Sequence, residues 1–188
     1  MICRYIIVMM ALFLLVSCAN MPDKKEGSFN LSARKHLYEK EVWFFSGRMS
    51  LTDKNHSISA NVEWEHEPKE DVINLSGSFG LGRVRVVLAG QSVEINMDGR
   101  QEKYIGNVDD ILSSELGIVV PVSALKYWVL GVADPNAVYK DEGRGFVQNG
   151  WRVSYLQMQA NGDYELPRKI KAEQGSAKLK LIVSHWDI

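Results

Sequence analysis

The stretch Leu116 to Gly131, LGIVVPVSALKYWVLG, constrains the fold more than any other part of the chain. Leu116-Gly117 closes one helical pattern and Pro121 opens the next, because proline suits a first helical turn where its missing N–H would be unpaired anyway. From Val122 the apolar residues fall at Val122, Leu125 and Val129, flanked by Trp128 and Leu130. That is one face of a short helix, ending at Gly131 where a left-handed cap would sit. Nearly everything else in the mature chain reads as strand. A helix this apolar needs a sheet to cover, and on pattern alone it is a core helix.

The strand signals begin at Val42. Trp43, Phe45, Gly47, Met49 and Leu51 alternate with polar neighbours, and Ile58, Ala60, Val62 and Trp64 repeat the pattern while Glu63 and Glu65 face the other way. Strands are expected again over Val72–Ser76, Val84–Leu88, Ser92–Met97 and Gln101–Ile105. Asp98-Gly99 is a hairpin signal, since both central residues of that turn favour positive φ. Asn107 is placed to cap a helix running to Leu116, with Asp109 and Asp110 complementing its dipole. Strands return over Phe146–Asn149, Trp151–Gln157, Arg168–Glu173 and Ala177–Trp186. A further helix is expected over Asn30–Lys40. Many strands, regular turns and few helices predict a mainly β (α+β) domain whose antiparallel sheet curls on itself.

The first residues read as a targeting segment. Arg4 supplies a positive charge, Tyr5 to Val16 is an apolar run of signal-peptide length, and Leu15-Val16-Ser17-Cys18 has the form of a lipobox. An ordinary signal peptide with a cysteine near its end is the other reading. The two cysteines are Cys3 and Cys18, and Cys3 would leave with the signal. Cys18 then has no disulfide partner, which an N-acyl diglyceride modification explains. The expected division is 1–17 signal peptide, 18–28 acylated tether and 29–188 a single domain. Ala19 resembles an outer-membrane sorting signal, since lipoproteins retained in the inner membrane often carry Asp there.

Sites of chemistry are hard to find. A net charge of −1 offers no electrostatic footprint for nucleic acid. The four histidines show no zinc-type spacing and read as solvated loop residues. No G-x-S-x-G elbow occurs, and Gly80-Leu81-Gly82 leads into a strand where a dinucleotide fingerprint requires a helix. Neither a catalytic residue nor a metal site is assigned. What stands out is the connection Gly77–Gly82, which carries Phe79 and Leu81 among glycines, where loops are normally polar. Either both fold back onto the core or they form an exposed apolar finger of the kind that marks a membrane or partner contact.

The pattern LG-x(3)-P-x(3)-L-x-YW-x(2)-G, with Trp43, Gly47-Arg48, Trp64, Phe79-Gly80, Gly150-Trp151, Leu166-Pro167, Ile170 and Trp186, resembles the LolB family of outer-membrane lipoprotein receptors. The resemblance implies an open antiparallel half-barrel of about eleven strands, with short helices covering an apolar cavity. It implies a monomeric, non-catalytic receptor, anchored through Cys18 on the periplasmic face of the outer membrane. Such a receptor accepts acylated lipoproteins from a LolA-like periplasmic chaperone and inserts them into outer-membrane lipid, without nucleotide or cofactor. The family's protruding loop carries an apolar tip, usually Leu, and Phe79 stands there, with Gly80 and Leu81 beside it. Trp43, Met49, Trp64, Leu112, Leu125 and Trp128 are the expected lining of the acyl-chain cavity. The alternatives are a structural lipoprotein scaffolding an envelope complex, with a packed interior, and a lipid-modifying enzyme, with a polar convergent site.

One expectation follows from the N-terminus alone. Palmitate labelling should fall on Cys18, and Cys18→Ala should give an unprocessed or soluble, unlabelled protein. Labelling that persists in Cys18→Ala would contradict the lipobox reading.

Overall fold

A computed structural model of the chain describes residues 29–54, 57–77 and 82–188. A 3₁₀ helix (Leu31–Glu39) leads into β1 (Trp43–Thr52), β2 (Ser57–Glu67), β3 (Glu70–Ser76), β4 (Arg83–Ala89), β5 (Ser92–Met97) and β6 (Arg100–Ile105). Two helices follow, α1 (Val108–Leu116) and α2 (Val122–Trp128). Then come β7 (Tyr139–Asp141), β8 (Gly145–Gln148), β9 (Trp151–Asn161), β10 (Tyr164–Gln174) and β11 (Ala177–Asp187). All eleven strands form one sheet in the order β6-β5-β4-β3-β2-β1-β11-β10-β9-β8-β7, and every neighbouring pair is antiparallel.

This order explains where the helices go. Two meanders run outward from the central β1–β11 pair, so β6 and β7 are the free edges. The one chain segment joining those edges carries α1 and α2, and it crosses the sheet's apolar face. Alternation decides which face that is: Phe45, Leu51, Val62, Trp64, Val84, Val86, Leu179 and Leu181 are buried, while Arg48, Asn61, Glu63, Arg83, Arg85 and Lys180 point outward and are exposed. Strand β6 is mostly exposed and charged and β7 has three residues, both devices that discourage edge-to-edge pairing.

Local chemistry sets the element ends. Asn30 caps the N-terminal helix through Ser32 N–H and Ala33 N–H, and Asn107 caps α1 through Asp110 N–H. Gly117 ends α1 in the left-handed region at φ 66°. Asp98 and Gly99, at φ 52° and 81°, both have positive φ, as a tight hairpin requires. The N-terminal element is 3₁₀ where the sequence suggested only a helix. Strands β9 and β10 run longer than expected, and β10 accommodates Pro167 at a register shift against β9. There β10 pairs with β9 alone, and pairing with β11 begins only at Lys169. Histidine placement differs from expectation: His36 lies in the 3₁₀ helix, His66 on β2 and His185 on β11, and His56 is outside the described residues.

Buried polar groups fasten the end of α2 to the sheet. The Gln148 side chain, 1% exposed, accepts from Trp128 Nε1 and Asp134 N–H at 2.9 Å each. It donates to Asp134 O at 2.8 Å and Ala137 O at 2.9 Å. Tyr155 donates its hydroxyl to Trp128 O at 2.9 Å, and burial pushes that hydroxyl's pKa upward. Arg34, from the 3₁₀ helix, donates to Leu130 O, Gly131 O and Glu165 O at 2.6, 2.9 and 2.7 Å. Burial lowers its pKa from the ordinary value, partly opposed by Tyr155 and Glu165. Gly131 has φ +84°, and a Cβ there would come within 2.6 Å of Arg34 Nη2, so conformation and space both select glycine.

Gln148→Leu would strip partners from four polar groups at once. A stability loss of about 3 kcal/mol or more is expected, lowering Tm by roughly 6–12 °C for a domain of this size. A Tm within measurement error of the parent would contradict this fastening.

Candidate functional site

Between the inner face and the helices lies a two-part apolar cavity. The deeper part is lined by Phe45, Trp64, Ile73 and Leu181 from the sheet and by Leu112, Val122 and Leu125 from α1 and α2, among others. The outer part is lined by Leu51, Ile58, Ala60, Gly77, Val84 and Leu116, among others. Met49, Leu75 and Ile118 belong to both, so the two form one slot. They enclose about 500 and 510 Å³ of atom-free space, part of it open to solvent and little of it wide enough for water, so the slot is narrow. Its deep part presents only apolar carbon and sulfur apart from the Trp64 indole N–H, which donates to Asp71 Oδ1 at 2.8 Å. His66 Nδ1 lies 2.7 Å from the same oxygen, so the ring that walls the slot is held from behind. Polar contacts here only fix walls, as expected of a pocket for apolar ligands.

The outer end of the slot reaches Gly77 and Gly82, the described residues on either side of segment 78–81. Gly77 is forced to be small: a Cβ there would come within 2.7 Å of Ser59 O on β2. Above the slot, Asp109 accepts from Ser123 N–H at 3.1 Å, joining α1 to α2. The Tyr104 hydroxyl reaches Glu102 and Glu115, tying α1 to β6. Among the described residues no group of three or more His, Cys, Asp or Glu is placed to hold a metal ion.

Residues 41–186 match the family model "Outer membrane lipoprotein LolB". The chain belongs to the LolB family. Its relatives include outer-membrane lipoprotein LolB of Azoarcus sp., 28% identical over 93% of this chain and 90% of that protein. LolB of Nitrosococcus oceani is 27% identical over 99% of this chain and 98% of the relative. Two crystal structures share the fold at low identity. A LolA superfamily protein from Nitrosomonas europaea has TM-score 0.50 at 9% identity, covering 79% of this chain and 86% of that one. A DUF1329 family protein from Desulfovibrio piger has TM-score 0.54 at 7% identity, covering 84% and 90%. The LolB resemblance and the open antiparallel sheet with short helices expected from it both hold.

Of the residues expected to line the LolB-type cavity, Met49, Trp64, Leu112 and Leu125 do line the slot. Trp43 and Trp128 are not among its lining residues. Trp43 faces inward but sits toward the far end of β1, packed among Phe45, Trp64, His66 and Trp186 at ring-centroid distances of 4.9–6.1 Å. Trp128 is drawn away by Gln148, and its ring packs near Phe146 and Trp151. Leu75 and Ile118 were not singled out, although the inward alternation of β3 and the position just after the Gly117 cap carry the signal. Cys18, Phe79, Gly80 and Leu81 lie outside the described residues.

The slot is expected to take an environment-sensitive fatty-acid probe. Leu75→Trp, which places bulk where the two parts meet, should weaken that binding by on the order of tenfold, about 1.4 kcal/mol, in a variant that stays folded but melts somewhat lower, since overpacking costs about 1–3 kcal/mol. Unchanged affinity in the variant would mean that the probe binds elsewhere.

Proposed function

We propose that this protein is a lipid-anchored outer-membrane receptor that takes acylated lipoproteins from a LolA-like periplasmic chaperone and delivers them to outer-membrane lipid. The observation that carries this reading is the apolar slot between sheet and helices, in a chain of the LolB family. Each acyl CH₂ left in water forgoes roughly 0.8 kcal/mol, so cargo must pass from one apolar enclosure to another. A narrow slot serves this if it widens on loading and closes on release. Its walls suit that role: Met49 is adaptable, and apolar side chains make up the slot's contacts beneath α1 and the start of α2. No nucleotide is needed if affinity for the acyl chains rises from chaperone to receptor to bilayer.

The role of segment 78–81 completes the proposal. In sequence it carries Phe79 and Leu81 between the glycines at the slot's outer end. Phe79 acts as the apolar tip that enters the bilayer, with Cys18 as the acylated anchor. Phe79→Glu tests this, because a charge driven into hydrocarbon costs on the order of 2.5 kcal/mol or more, whereas at an exposed position it changes stability by no more than about 0.5 kcal/mol.

The expected result is unaltered melting and cargo acceptance, with loss of transfer of labelled lipoprotein to liposomes, and recovery in Phe79→Leu. Unimpaired delivery by a well-folded Phe79→Glu protein would remove the tip role. A wild-type protein that accepts no lipoprotein at all would favour the scaffold reading.

A further inference from the structure

The outer face of the sheet is sorted by charge along the strands, although the whole chain carries a net charge of only −1. The end bearing the β1–β2, β3–β4 and β10–β11 turns presents Arg48, Arg83, Arg85, Lys171, Lys178 and Lys180 on outward positions. Their placement follows from the ladders: Arg48 opposes Asn61, Asn61 opposes Ser76, and Ser76 opposes Arg83 in one outward row. Acidic residues stand there too: Glu63, Glu173, Asp53 just after β1, and Asp98 in the β5–β6 hairpin, whose carboxylate lies against Gly82. Glu173 is held by Lys171 at 2.8 Å, which keeps its carboxyl below the ordinary pKa. The opposite end of the same face presents Glu65, Glu67, Glu70 and Glu94, with Lys103 opposite Glu94 and Lys69 in the β2–β3 turn, so acidic residues outnumber basic ones there.

Two features leave the basic end with positive charge only partly matched. Lys171 and Lys180 are directly opposed across β10 and β11, a like-charge pairing that Glu173 offsets on the Lys171 side. Arg83 and Arg85 stand on the same face of β4. Arg85 makes a long contact, 3.4 Å to Asn74 Oδ1, and among the described residues neither arginine has a carboxylate partner in hydrogen-bonding geometry. Both line an open surface groove together with Asn61, Glu63, Asn74 and Asn96. Guanidinium forks beside neutral amide donors are the donor set that phosphate oxygens take.

We infer that this groove and the basic rim around it form a docking surface for the anionic phosphate headgroups of a phospholipid membrane. The inference rests on the receptor reading for its biological sense. It adds a second, electrostatic contact that would hold the outer end of the slot against the bilayer. Each cation near an anionic surface contributes about 1 kcal/mol, roughly fivefold in binding, and the effect fades within a Debye length. Orientation follows from the sorting, since the acidic end is repelled by the same surface.

The test uses the full acylated protein, without cargo, reconstituted in vesicles of phosphatidylcholine alone or mixed with phosphatidylglycerol. Arginine modification by phenylglyoxal is followed residue by residue by mass spectrometry. Modification of Arg48, Arg83 and Arg85 should slow several-fold in the anionic vesicles and recover at about 1 M salt, where the Debye length is about 3 Å. Inorganic phosphate with phosphatidylcholine vesicles should not reproduce the protection. In Arg83→Gln/Arg85→Gln, docking should weaken by on the order of tenfold or more, so Arg48 loses its protection, whereas Arg83→Lys/Arg85→Lys should keep most of it. Equal rates in the two vesicle types, or undiminished Arg48 protection in the Gln variant with unchanged Tm, would overturn the inference. Cargo acceptance by the wild-type protein is scored separately in detergent. Its failure would count against the receptor reading alone, because vesicle docking involves no cargo.

Discussion

An open sheet with two free edges, joined by a single chain segment, is the constraint on which this structure depends. Strands β6 and β7 lie at opposite ends of an eleven-stranded order, so the segment between them must cross the apolar face. That crossing carries α1 and α2 and supplies the cover the sheet needs. The cover is fastened unevenly. Downstream of α2, Gln148, Tyr155 and Arg34 satisfy buried groups on Trp128, Leu130, Gly131 and Asp134. Over the slot, Leu112, Leu116, Ile118, Val122 and Leu125 meet the sheet through apolar contacts.

The contrast matters because the two kinds of contact respond differently to displacement. A buried polar group that loses its partner costs about 1–3 kcal/mol, so the end of α2 resists separation from β8 and β9. Apolar walls that part to admit an acyl chain exchange one apolar contact for another and lose little. Under the proposed function, loading widens the slot while the downstream fastening preserves the fold. The same strands put polar and charged groups outward, so on this proposal the inner face would hold cargo while the outer face is left to meet a surface.

Much of this was legible in the sequence. Alternation from Trp43 to Leu51 and from Ile58 to Trp64 grouped the side chains of one strand face, which the structure turns inward, and Asp98-Gly99, Asn107, Gly117 and Pro121 marked turns and helix ends through local chemistry. What stayed hidden depends on groups distant in sequence. Arg34 reads as a surface cation until Leu130 and Gly131 lie beside it, and Gln148 reads as an ordinary strand polar residue until the chain after α2 folds over it. The start of β10 before Arg168 was hidden because Pro167 is accommodated only where β10 pairs with β9 alone, ahead of the β11 pairing. Trp43 and Trp128 show the limit of patterning: periodicity says that a side chain faces inward, but not whether it closes a packed end or borders open space.

The most direct test of the central claim is photo-crosslinking of the full acylated protein to a lipopeptide bearing a diazirine on its acyl chain, with the labelled residues located by mass spectrometry. Labelling should concentrate on Met49, Leu75 and Ile118, where the two parts of the slot join, and be displaced by unlabelled lipoprotein. Labels confined to the outward face, or absent from β1, β3 and the α1–α2 connection, would contradict the account.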